Sequence, residues 1–140
     1  MIEYRNTMRR EIRKLSSKVF AIDFGTSMLK IYKKNEGVIF DEKNVVAICD
    51  GAVKAIGDEA FEMYGRTPDN FEVTFPVKYG VIADFANMLS MLNASLDSIA
   101  DKHGKVNGAE FIVAIPSDIS EVECRAFYDL LWSSSAKPKK

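Results

Sequence analysis

Alternating and three-to-four-residue apolar spacings divide this chain into short strands and two amphipathic helices. Val19–Phe24 is an apolar run of β-forming residues interrupted by Asp23, and after Gly25-Thr26-Ser27 the pattern resumes as Leu29–Tyr32. This predicts a strand, a tight loop and a second strand. Val38–Phe40, Asn44–Ile48 and Val53–Ile56 read as three more short strands. A short helix is predicted over Glu59–Tyr64, with Asp58 as its N-cap and Gly65 as its stop. Phe71–Phe75 alternates like a strand and Pro76 closes it, so residues 42–78 are expected to form a small insertion on the edge of the main sheet.

Two longer helices follow. From Asp84, an N-cap by type, Phe85, Met88, Leu89, Leu92, Leu96 and Ile99 recur at helical spacing as far as about Lys102, with His103 and Gly104 ending the helix. With no second histidine in the chain, His103 is given no catalytic role. Phe111–Ile115 is a continuous apolar run, expected to be a central strand covered on both faces. Ser120-Glu121-Val122-Glu123 has the form of a capping box opening a helix through about Leu131, and Ser133–Lys140 reads as loop.

Composition keeps the picture that of a globular domain: 140 residues, 47% hydrophobic and 28% charged, are one domain's worth of material. The formal net charge of −1 conceals a basic start. Residues 1–18 carry Arg5, Arg9, Arg10, Arg13, Lys14 and Lys18 against Glu3 and Glu11, a net +4. Met8, Ile12 and Leu15 would give a helix there a thin apolar stripe, which leaves a membrane-surface segment, a disordered arm and a partner-docked extension as open readings. No nucleic-acid partner is expected. No apolar run approaches the roughly 20 residues of a membrane-spanning helix. Cys49 and Cys124 are too few for a disulfide framework or a zinc site and are expected to be free, buried thiols in a reducing cytoplasm.

The candidate chemistry lies in the loop after the first strand. Gly25 lacks a Cβ, so the backbone there can take positive φ and approach a ligand closely, leaving the amides of Gly25, Thr26, Ser27 and Met28 to face phosphate oxygens. The Thr26 and Ser27 hydroxyls add donors. A carboxylate beside phosphates calls for a cation between them, so Asp23 is read as holding Mg²⁺ through water. Lys30, three residues beyond Ser27, could reach back over the turn as a point charge. The same residues are also ordinary turn formers and a solvated strand lysine, so a plain hairpin stands beside the Mg²⁺-nucleotide reading. Asp23-Phe24-Gly25 imitates a kinase triplet, but no small lobe or His-Arg-Asp loop precedes it.

Several stretches together resemble the MreB family of bacterial actin homologues, within the actin, Hsp70 and sugar-kinase superfamily. They are Ala21–Thr26, Asn44–Ile48, Ala55–Ala60, Gly65-Arg66-Thr67-Pro68, Gly80–Phe85 and Ile115–Glu123 with Arg125. The resemblance implies an α/β fold: the N-terminal subdomain of an actin-like, ribonuclease H-like ATPase over residues 19–140, incomplete, with its edge insertion. It also implies ATP and Mg²⁺ as cofactors and self-association into membrane-associated filaments that guide cell-wall synthesis and cell shape. On that transfer Asp23 takes the Mg²⁺-associated place, and Gly25, Thr26 and Ser27 take phosphate-contacting places. Met28-Leu29-Lys30 departs from the MreB pattern toward eukaryotic actin, whose lysine there contacts phosphate. The water-activating acid, the second phosphate loop and the adenosine pocket are expected beyond Lys140, so no catalytic residue and no ATP hydrolysis are expected of these 140 residues alone. A piece of a sugar kinase or chaperone, and a non-catalytic interaction module, remain the alternatives.

Overall fold

The computed structural model describes residues 18–139, so the basic arm, Lys18 apart, lies outside the described residues. In chain order come β1 (Val19–Phe24), β2 (Met28–Lys33), β3 (Gly37–Lys43), β4 (Val46–Cys49), β5 (Ala52–Ile56) and helix α1 (Gly57–Glu62). Then follow β6 (Phe71–Thr74), β7 (Val77–Lys78), β8 (Val81–Ile82), α2 (Phe85–His103), β9 (Glu110–Ala114) and α3 (Glu121–Ser133). The main sheet has the order β3-β2-β1-β9, antiparallel except for the parallel pair β1 and β9. Strands β5-β4-β6 form a second antiparallel sheet, and β7 and β8 pair as a separate hairpin.

Period-two alternation decides which face of the main sheet is buried. Phe20, Ile22 and Phe24 of β1 point inward, with Leu29 and Ile31 of β2 in register beside Phe24 and Ile22. They pack with Met88, Met91, Leu92 and Leu96 of α2 and Phe127 and Leu130 of α3 in one cluster. Asp84 caps α2 by accepting from Asn87 N–H at 3.1 Å, and the Ser120–Glu123 capping box opens α3.

Three expectations change. Among the described residues the apolar run of β9 is not a covered central strand: β9 stands at the edge of the main sheet, and Ile112 is 62% exposed. The core gathers helix residues on one side of the sheet, so the face carrying Ile112, Tyr32 and Val38 stays open among the described residues. Asp58 does not cap α1, which begins at Gly57. Its Oδ1 accepts instead from Lys43 N–H at 2.9 Å, tying α1 to β3. Cys49 is buried, and burial pushes its thiol up, but Cys124 is exposed because it borders an open apolar groove of about 240 Å³ beside β9. No helix among the described residues is long and apolar enough to cross a membrane.

A clasp not evident from the sequence joins the β2–β3 turn to the end of α2. Lys33 Nζ donates to His103 O at 3.0 Å and to Glu36, whose Oε2 lies 2.7 Å from His103 Nδ1. The Lys33 hydrogen bond, and after it His103, hold the Glu36 carboxyl below its ordinary range. Because Glu36 then binds its proton less tightly folded than unfolded, the clasp contributes fully above the ordinary glutamate range and is lost as pH falls through the depressed value. Glu36→Gln should therefore lower Tm slightly at neutral pH and flatten the acid limb of a Tm-against-pH curve. An unchanged acid limb would exclude the clasp as a contributor.

Candidate functional site

The bend Gly25–Ser27 between β1 and β2 is not a closed two-residue turn. In a closed hairpin Met28 N–H would donate to the Gly25 carbonyl; here that carbonyl accepts from Asn44 Nδ2 at 2.9 Å. Asn44 N–H also donates to Ser27 O at 2.9 Å, so one buried residue grips both sides of Thr26. The amides of Thr26 and Ser27 find no acceptor among the described residues and are free for a ligand. Gly25 does not use the positive φ open to it. Glycine is required there because a Cβ would lie 2.5 Å from Met28 O.

The bend forms one side of a cleft of about 260 Å³ bordered by Asp23, Gly25, Thr26, Gly80, Ile115 and Pro116. The β7–β8 turn supplies Gly80, whose N–H donates to Thr26 Oγ1 at 3.1 Å. Both turn residues, Tyr79 (φ 52°) and Gly80 (φ 78°), are left-handed, and a Cβ on Gly80 would meet Pro116 Cγ at 2.9 Å. The cleft falls below the roughly 300–1,000 Å³ of a complete ligand pocket, so these residues supply part of an enclosure.

Of the candidate residues, Asp23, Gly25 and Thr26 border this cleft, whereas Ser27, Met28 and Lys30 stand outside its lining. Asp23 is in register with Lys30, and Lys30 with Asp41, which places three exposed charges in one row across the open sheet face. None of them forms an ion pair among the described residues. Lys30 thus has a carboxylate strand neighbour on either side, and its pull toward the bend competes with both. Asn44, Gly80 and Pro116 lie in the stretches that resemble the MreB family, but their sequence signals assigned them no place in the site. For Asn44 the available signal was one amide heading the apolar run Val45–Ile48.

The donor set fits a Mg²⁺ ion carried by phosphates. The described residues contain no cluster of three His, Cys, Asp or Glu able to hold a metal ion by themselves. A single exposed carboxylate beside free amides suits an ion whose other ligands are phosphate oxygens and water.

Comparison with known proteins agrees with this architecture. The family described as MreB/Mbl protein matches residues 17–138. The cell shape-determining protein Mbl of Bacillus subtilis is 36% identical over 118 residues, which cover 83% of this chain and 35% of that relative. The crystal structure of MreB5 of Spiroplasma citri bound to ADP superposes with a TM-score of 0.77 at 24% identity, over 86% of this chain and 36% of that one. The MamK double helical filament gives 0.70 at 19% identity, over 86% and 39%. The chain therefore spans a little over a third of these proteins, and the last two likenesses speak for an actin-like fold alone. A match running through nearly every described element, from β1 to the tail after α3, establishes that this chain belongs to the MreB/Mbl family.

Proposed function

We propose that this chain forms one wall of the nucleotide cleft of an actin-like, filament-forming protein that determines cell shape, working in the cytoplasm with Mg²⁺-ATP as ligand. Gly25, Thr26, Ser27 and Met28 contact the phosphates through backbone amides and hydroxyls, Lys30 lends its charge over the bend, and Asp23 holds Mg²⁺ through water. Bound Mg²⁺ would offset phosphate charge beside that carboxylate. The observation carrying this reading is the pair of amides, Thr26 and Ser27, that have no partner among the described residues, at a bend held open next to an exposed carboxylate. ADP in the MreB5 structure supports the ligand class, and the MamK filament supports self-association. Membrane contact through residues 1–18 and work with the cell-wall synthesis machinery belong to the same proposal.

Titration of the ¹⁵N-labelled chain with Mg²⁺-ATP tests it. The amides of Thr26 and Ser27 should shift and saturate. Asp23→Asn should weaken the Mg²⁺-dependent affinity about tenfold, or ~1.4 kcal/mol, with Tm unchanged because the carboxylate is exposed. Unmoved Thr26 and Ser27 resonances at millimolar Mg²⁺-ATP would remove the reading.

A further inference from the structure

We infer that Asn44 is the positioning residue of the phosphate bend and the joint through which the second sheet bears on it; the ligand half of this inference rests on the nucleotide reading. Asn44 is fully buried between β3 and β4. Its side chain donates to Gly25 O and its backbone N–H to Ser27 O, both at 2.9 Å, so the two contacts bracket Thr26. The neighbouring Val45 carbonyl accepts from Gly57 N–H at 2.9 Å, where α1 begins. One dipeptide thus links the bend of the main sheet to the base of the second sheet and its helix.

Stability alone does not account for an asparagine here. Its Oδ1 is buried and has no hydrogen-bond partner among the described residues. Leaving a buried acceptor orphaned costs at least as much as a single neutral hydrogen bond returns. An apolar side chain of similar volume would avoid that penalty, but it could not take the Gly25 carbonyl away from Met28 N–H. What the amide uniquely supplies is the donor that holds the bend open, with the Thr26 and Ser27 amides unpaired among the described residues. The residue trades fold stability for loop geometry, as expected of a group that acts through the atoms it positions.

The test compares Asn44→Leu, which keeps the γ-branched shape and the number of heavy atoms while removing both donor and orphaned acceptor, with Asn44→Ala. The leucine variant should leave Tm unchanged or raise it, while ¹⁵N relaxation shows the order parameters of Thr26 and Ser27 falling from the rigid range near ~0.85 toward ~0.6. Mg²⁺-ATP affinity, followed at the same amides, should fall about tenfold. Should the alanine variant fail to fold, the leucine variant alone carries the comparison. A space-filling role predicts unchanged loop order and affinity in the leucine variant, and that result overturns the inference. If Mg²⁺-ATP leaves the wild-type bend unmoved, the nucleotide reading fails, while the ligand-free order parameters still decide whether Asn44 positions the bend.

Discussion

Phe20→Ala is expected to remove about 3–5 kcal/mol of folding stability, the loss typical of a fully buried phenylalanine whose site cannot collapse. Phe20 is wholly buried on the inner face of β1, in register with Phe111 of β9 and stacked on it with ring centroids 5.5 Å apart. Truncation removes apolar burial, an aromatic contact and the packing of β1 on α2 together. For a chain of this length the loss corresponds to a Tm drop of roughly 10–20 °C, a large part of the 5–15 kcal/mol that ordinarily separates folded from unfolded. The control is Ile112→Ala on the neighbouring strand. Ile112 belongs to the same sheet but to its open face, so its truncation should cost under about 1 kcal/mol. Urea denaturation should show the midpoint falling sharply for Phe20→Ala and little for Ile112→Ala, with similar slopes. Equal losses would mean that the open face is covered in solution and that the sheet has two buried sides.

That contrast also explains what could be read from the chain. The β1–bend–β2 hairpin, the Asp84 cap and the Ser120–Glu123 box rest on local alternation and on side chains reaching three residues along, so the sequence displays them directly. The run Phe111–Ile115 misleads because five apolar residues look alike whether a strand is covered on two faces or on one. The cases are distinguished by pairing, since among the described residues β9 pairs with β1 alone. Asp58 looks like a helix cap, but a backbone donor fifteen residues away, Lys43 N–H, claims its carboxylate. Glu36 and His103 meet across sixty-seven residues, and Gly80 reaches Thr26 across fifty-four, distances at which no periodicity speaks. For Gly25 the residue type was legible and its reason was not. Flexible φ was expected, whereas the requirement is room for a carbonyl.

Gly25→Ala turns that distinction into a measurement with the largest expected effect on ligand binding. Since Gly25 is outside the left-handed region, alanine meets no backbone penalty of its own. The new methyl would instead lie 2.5 Å from Met28 O, closer than real contacts allow, and the opposing atom is backbone. Phe24 and Leu29 on either side are buried in the core, so the strands resist and the displacement falls on the bend. There it should break the Gly25 O to Asn44 Nδ2 bond and re-aim the Thr26 and Ser27 amides. Overpacking of this kind costs about 1–3 kcal/mol of stability. Mg²⁺-ATP affinity should fall further, by about a hundredfold or ~2.7 kcal/mol, since several phosphate contacts are misdirected together. Gly37→Ala provides the comparison: it has φ +86° and open space around its Cβ, so it should strain the β2–β3 turn without disturbing nucleotide binding. Because Gly25→Ala and Asn44→Leu act through the same bend, the double variant should bind little worse than Gly25→Ala alone. Additive losses would mean that the two residues reach the ligand by separate routes, and wild-type affinity in Gly25→Ala would mean that the ligand does not read the bend at all.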